Sequence, residues 1–356
     1  MYMFFQLLQI SLGNRYSFDD APTEGEWWSI YDIALKHCIE ALFFDALDGL
    51  CKYEQRPPLS LLYEWIGTSE QIRNQNNLLN RRCLDVSLLF KESGMRSCIL
   101  KGQGNALMYP NPNLRTPGDI DIWVDGNKRE IVDFIHDRYP DANVAQHHVD
   151  FPIFDDVNIE VHYIPTYAVV LRKQRKLDAF IEYHREEQFN HPVVLSGLED
   201  SINVPTNEFN IIYQLTHIER HFFYGGIGLR QMIDFYFLLI KYWKESSSQI
   251  DNTRKTICEL GLTNFVRAVM WIMKNVMGMQ EEQLLLPPDI KRGKLMLSEI
   301  MKGGNFGNYD KRFIVRMRSK SKTFSALARN MGMFGLFPEE SLSAPITGVV
   351  KRFLNK

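Results

Sequence analysis

Asp119 and Asp121 are the residues of this chain best placed to do chemistry, set two apart within the run Gly118-Asp-Ile-Asp-Ile-Trp-Val124. Successive side chains of a strand point to opposite faces, so the two carboxylates share one face and Ile120 and Ile122 occupy the other. Adjacent carboxylates on a rigid strand repel each other unless a hard cation sits between them. The pair therefore predicts a Mg²⁺ (or Mn²⁺) site of the kind that serves phosphoryl or nucleotidyl transfer. Spacing alone is weak, because 43 acidic residues in 356 give about five acidic-x-acidic triplets by chance. The weight comes from the flanks, Ile120, Ile122, Trp123 and Val124, which mark a buried strand rather than a solvated charge run.

Two neighbouring segments add to the pattern. Upstream, the apolar run Cys98-Ile99-Leu100 leads into Lys101-Gly102 and then Asn105 to Tyr109, read as strand, glycine turn and helix start. Backbone N–H groups at such a turn can face a phosphate. Lys101 and Arg115 are the nearest cations, and Arg115 is the better suited to bidentate phosphate contact, with a salt bridge across the turn as its alternative. Downstream, Gln146–Phe154 and Val157–Tyr163 read as a hairpin around Asp155-Asp156. Val157, Ile159 and Val161 form its apolar set, so Asn158, Glu160 and His162 line the other face. If that strand lies beside Asp119, Glu160 completes a three-carboxylate cluster as third metal ligand or general base. Otherwise it is an exposed strand residue.

Lys101-Gly102, Arg115, Asp119-Ile-Asp121 and Glu160-Val-His162 together resemble the signature of the uncharacterised bacterial nucleotidyltransferases, a family of the polymerase-beta-like nucleotidyltransferase superfamily. The resemblance is specific from Leu100 to Tyr163 and looser in a helical part where His217, His221 and Asp234 also fit. It implies catalytic and metal-ligand roles for Asp119, Asp121 and Glu160. It implies a nucleotide-binding set of Lys101, Gly102, Gln103, Arg115, His217, His221 and Asp234, with a nucleoside triphosphate (NTP) as substrate and an unidentified hydroxyl as acceptor. The turn departs from the superfamily, which usually has Gly-Gly or Gly-Ser where Gln103 follows Gly102 here. The interval from Gly102 to Asp119, with Pro110, Pro112 and Pro117, is also long.

Bulk properties exclude little. A content of 45% hydrophobic and 24% charged residues is that of a globular chain. A formal charge of −2 gives no global reason for nucleic-acid binding. Five scattered cysteines without C-x-x-C argue against a disulfide framework or structural zinc and fit a cytoplasmic location. The apolar N-terminus lacks a basic n-region, and no run approaches the length of a membrane span.

The expected class is α+β: a small mixed nucleotidyltransferase sheet with flanking helical regions. Its expected parts are an N-terminal helical region 1–90, an α/β core 91–165, a helical domain 166–300 completing the cleft, and a basic tail 301–356. Gln71–Arg82 reads as a solvated helix face, and Leu171–Lys176 as a basic surface helix. A helix from Asn207 through Ile218 is followed by Gly225, Gly226 and Gly228 and a second helix, Leu229–Trp243. His217 and His221, four apart, share a helix face. Glu219 stands two residues after the first histidine rather than one, which argues against a zinc-protease helix. Asp234 is i+4 from Arg230, so an intrahelical ion pair is its structural alternative. Lys311–Arg329 carries seven Lys/Arg and no acid. An RNA-directed protein using that stretch, or a catalytically silent nucleotide-binding module, are the alternatives to the enzyme.

Overall fold

The computed structural model describes residues 1–310 and 329–345. Most of the basic stretch 311–329 lies outside them. The architecture is α+β. Strands β1 (Ser97–Leu100), β2 (Ile120–Val124), β3 (His148–Asp150) and β4 (Ile159–His162) form a sheet of order β1-β2-β4-β3. β2 runs parallel to β4, and the outer strands run antiparallel to their neighbours. The expected hairpin is thus present in shorter form, and β4 does lie beside the acidic strand. A separate pair, β5 (Pro192–Val194) and β6 (Ser201–Asn203), was not anticipated.

Helices α1 (Tyr2–Ser11), α2 (Glu24–His37), α3 (Glu40–Leu50) and α4 (Leu59–Glu92) precede the sheet; α5 (Gly102–Ala106) and α6 (Lys128–His136) lie within it. After it come α7 (Gln174–Gln188), α8 (Asn207–Tyr224), α9 (Leu229–Glu245), α10 (Ile250–Glu259), α11 (Thr263–Asn275) and α12 (Ile290–Gly303). α4 begins directly after Pro58, whose ring is tolerated only at a helix start. It buries Trp65, Ile72, Leu79, Val86 and, one turn on, Ser69, Asn76, Cys83, Phe90, two sevenfold rows on one face. α6 is closed by a capping box in which Asn127 accepts from Glu130 N–H and Glu130 accepts from Asn127 N–H.

Alternation along β2 gives the sheet two different faces. Ile120, Ile122 and Val124 join Ile99, Val149 and Val161 under the second half of α4 and under α6. On the other face Trp123 packs against Phe189 and stacks on Phe209 of α8, with ring centroids 4.8 and 5.8 Å away. Asp121 is on this second face, so α8 and α9 roof the carboxylates. The apolar core beneath that roof also takes in α1–α3 and α11–α12, so residues from both ends of the described chain share it. No described helix is long and apolar enough to cross a membrane.

Two polar segments differ from expectation. Asn76 and Asn80, within the stretch read as a solvated face, are buried. Asn76 donates to the carbonyls of Asn113 and Arg115 and so pins the loop before the acidic strand. Lys173, in the basic piece read as a surface helix, is also buried and donates to the Gly261 carbonyl and to Glu340. Both are polar groups whose partners are remote in sequence, which a local hydropathy pattern does not report. The seam between α11 and α12 depends on Gly293, where an added Cβ would lie 2.4 Å from Trp271 Cβ. Gly293→Ala is therefore expected to lower stability by about 1–3 kcal/mol by overpacking, although alanine is the better helix former. A urea midpoint equal to or above wild type would show that the helices can stand further apart.

Candidate active site

β2 and β4 place Asp121 directly beside Glu160 in register, with Asp119 immediately before β2. Asp121 is 4% exposed, whereas Asp119 opens to the cleft. Both oxygens of Asp121 are engaged. Lys101 Nζ lies 2.9 Å from Oδ2, and His162 Nε2 lies 2.9 Å from Oδ1. Lys101 reaches this position from a left-handed backbone (φ 52°), which is costly for a residue with a side chain. Gly102 follows at φ 42°, where glycine is permissive. α5, only five residues long, offers local N–H groups rather than an extended dipole.

The charge balance fits a bound cation. Asp119, Asp121 and Glu160 face one ammonium, Lys101. The Asp119 carboxyl is raised above its ordinary value, first by the charge of Asp121 and then by desolvation. Burial would raise Asp121 too, but Lys101 and the bond from His162 outweigh it and hold Asp121 low. Glu160 is likewise lowered, the bond from His162 overcoming desolvation. The donor set, oxygen-rich and net negative, suits Mg²⁺ or Mn²⁺. A consequence is that metal-dependent nucleotide binding should fail, as pH drops, at a higher pH than an ordinary aspartate would give. Asp121→Asn removes the repulsion, so any binding that remains should show that acid limit moved downward; an unmoved limit would assign it to another group.

A cleft opens in front of Asp119 and Asp121, while Glu160 is not part of its lining. Lys101, Gly102, Asp119 and Asp121 line one side, and Gln214, His217, Arg230, Gln231 and Phe306 the other. Asn105 joins the two walls, its Oδ1 accepting from Gln214 Nε2 at 3.0 Å. Arg115 and Asp234 lie at its deep end and hold each other: Nε and Nη2 donate to the two carboxylate oxygens at 2.8 Å each, and Tyr109 donates to Oδ1 at 2.7 Å. Arg230 instead donates to the carbonyls of Thr116 and Pro117, so Asp234's ion-pair partner is Arg115 across the fold, not Arg230 along the helix.

The remaining expected nucleotide-binding residues divide. His217 lines the cleft; Gln103 and His221 do not. Gln103 points into α4, donating to Asn76 and Asn80. Burial holds both His217 and His221 well below the ordinary histidine value, so each is a neutral acceptor for Arg220, at 3.2 and 3.5 Å. Among the described residues, the groups close enough to hold a metal are His147, His148 and His162, and Asp121, Glu160 and His162. His217 and His221 are in neither. His162, His148, Arg220 and Arg230 had not been given roles. The alternation that placed His162 beside Glu160 was the one sequence signal for any of them.

A family model described as uncharacterised nucleotidyltransferase matches residues 23–278, most of the chain. The chain belongs to that family. The match begins at Thr23, the residue that caps α2, and runs beyond α11, so it includes both the carboxylate strands and the helices that roof them. No curated protein matches. A solved structure of an antigenic nucleotidyltransferase-like protein from Paracoccidioides brasiliensis aligns at 11% identity, covering 54% of this chain and 93% of that one, with a TM-score of 0.30.

Proposed function

We propose that this nucleotidyltransferase-family chain moves a nucleotidyl group from an NTP to an acceptor hydroxyl, releasing pyrophosphate. The observation that carries the reading is the register of Asp121 against Glu160, with Asp119 on the same face at the mouth of the cleft. Asp119, Asp121 and Glu160 would hold divalent Mg²⁺ or Mn²⁺. Bound there, the cation supplies charge neutralisation for the triphosphate and acidifies the attacking hydroxyl. Lys101, ion-paired with Asp121 at 2.9 Å and lining the same cleft, is the cation placed to exchange that contact for a phosphate oxygen. Arg230 supplies further positive charge on the opposite wall, and the half-exposed ring of Phe306 offers a face to a base. Glu160 is ionised at neutral pH, as a base must be; its lowered pKa makes it a weak one, so its larger part is electrostatic. The chemistry asked of the protein is mostly positioning and charge neutralisation.

The test is thermal stabilisation of the wild type and of Asp119→Asn/Asp121→Asn by each of four NTPs, with and without Mg²⁺. An NTP at a hundredfold excess over Kd should stabilise the wild type by ~2.7 kcal/mol in a Mg²⁺-dependent way. The double variant should show none of it. Absence of a shift with every NTP in the wild type would count against the reading.

A further inference from the structure

The strand order divides the site into two sides. Asp121 and Glu160 stand on the two central strands, and the nucleotide cleft opens toward β1 through Lys101 and Gly102. On the opposite side lies β3, with His148 and, just before it, His147. Glu160 belongs to that opposite side: it is not in the cleft lining, and its Oε2 lies 3.2 Å from His148 Nδ1. Glu160, His147, His148 and Tyr167 are all half-buried, so this corner meets solvent.

Arg220 of α8 reaches into the corner without a counter-ion. It is 6% exposed, yet no carboxylate among the described residues pairs with it. Nη1 donates to His147 Nε2 at 2.7 Å, and Nη2 donates to His217 Nδ1 at 3.2 Å and more weakly to His221 Nε2 at 3.5 Å. The Tyr167 ring lies 4.7 Å from the guanidinium carbon. A guanidinium can only donate, so each imidazole accepts with a lone pair and is neutral. Neutral acceptors satisfy hydrogens but leave a full positive charge out of water with nothing to balance it, whereas Arg115 has Asp234. Donors are left over as well. Arg220 Nε donates to no described residue and is not walled off from solvent. Accepting at Nε2 fixes the proton of His147 on Nδ1, and that buried N–H has no acceptor. The cations that serve the triphosphate, Lys101 and Arg230, are on the cleft side.

We infer that Arg220 and His147 form an oxyanion subsite on the Glu160 side of the carboxylates, and that the acceptor is an acidic molecule, its phosphate or carboxylate held at Arg220 and its hydroxyl at Glu160. Guanidinium N–H groups bind either oxyanion through charge-assisted hydrogen bonds, and the bound charge balances the buried cation. The acceptor assignment rests on the nucleotidyltransferase reading; the oxyanion subsite does not.

Isothermal titration of the full chain with inorganic phosphate and with acetate, in EDTA and without nucleotide, tests it. The wild type should bind one anion, and Arg220→Gln should weaken it at least tenfold. Arg220→Lys keeps the charge but loses the planar fork, so its affinity should fall between the two; it carries the test if Arg220→Gln does not fold. Arg230→Gln, changed on the nucleotide side, should leave the affinity unaltered. Tighter phosphate supports a phosphorylated acceptor and tighter acetate a carboxylate-bearing one, while indifference of the wild type to both overturns the inference. So does wild-type affinity in the folded Arg220 variants, or a loss that follows Arg230 instead. With Mg²⁺ and a non-hydrolysable NTP analogue bound, the anion should still enter. Displacement by the analogue would give the subsite to the triphosphate and end the acceptor assignment. Anion binding through Arg220 with no NTP shift in the wild type would defeat the nucleotidyltransferase reading and leave the subsite standing.

Discussion

Asp121→Ala should lower NTP-dependent pyrophosphate release by more than a hundredfold in kcat/KM, a loss of at least ~3 kcal/mol of transition-state stabilisation. The size follows from how many contacts converge on one carboxylate. Asp121 adjoins Glu160 across the parallel ladder, holds the Lys101 ammonium on one oxygen and accepts from His162 on the other. Its removal abolishes a proposed metal ligand and leaves Lys101 and His162 without their anion in a nearly dry position. Asp121→Asn separates charge from shape, because the amide oxygen can still accept from His162. If Asn keeps the fold, judged by thermal unfolding, yet loses turnover as Ala does, the negative charge is what the reaction uses. Near-wild-type turnover in either variant would sink the assignment of this carboxylate to catalysis.

The second large effect is on stability. Asp234→Ala should cost about 3–5 kcal/mol, since it strands the Arg115 guanidinium at 5% exposure together with the Tyr109 hydroxyl. Replacing both partners by apolar residues of similar volume, Arg115→Met with Asp234→Leu, should recover much of that loss, because the pair's own desolvation disappears with it. The pH dependence has a definite sign. Burial raises the Asp234 carboxyl, but the charge and bonds of Arg115 prevail and its folded value is lowered. Its contribution is therefore full above the unfolded value of about 3.9 and is lost as pH falls through the lower folded value. Urea unfolding of the single and double variants measures all of this. A cost below ~1 kcal/mol for Asp234→Ala would mean the pair is open in solution, leaving Arg115 free to reach a phosphate.

That second prediction also marks where local reading stopped. Along the chain, Asp234 has an arginine four residues away, Arg230, and a helical ion pair was its natural structural role. The partner it takes is 119 residues distant, on the loop before the acidic strand. Gln103 shows the same limit. Its place in the glycine turn put it among the nucleotide-binding candidates, but a turn leaves side-chain direction open, and two asparagines of α4 claim it.

The sequence by itself determined the parts whose physics is local. Strand alternation put Asp119 and Asp121 on one face and Glu160 with His162 on another. The apolar runs called for β1, β2 and β4, and the glycines after α8 separated it from α9. The class, α+β, followed from that inventory, and the family resemblance from the same motifs. Only the tertiary structure decided which strands are neighbours, and therefore that Asp121 stands beside Glu160. It also decided that α8 and α9 close over them, that Arg115 spends its charge on Asp234, and that His148 meets His162. Apart from the hairpin contact of His148 with His162, those outcomes depend on pairing across about 40 to 120 residues, where register is chosen by burial of whole faces and by satisfaction of remote polar groups. No spacing within a single segment encodes that choice.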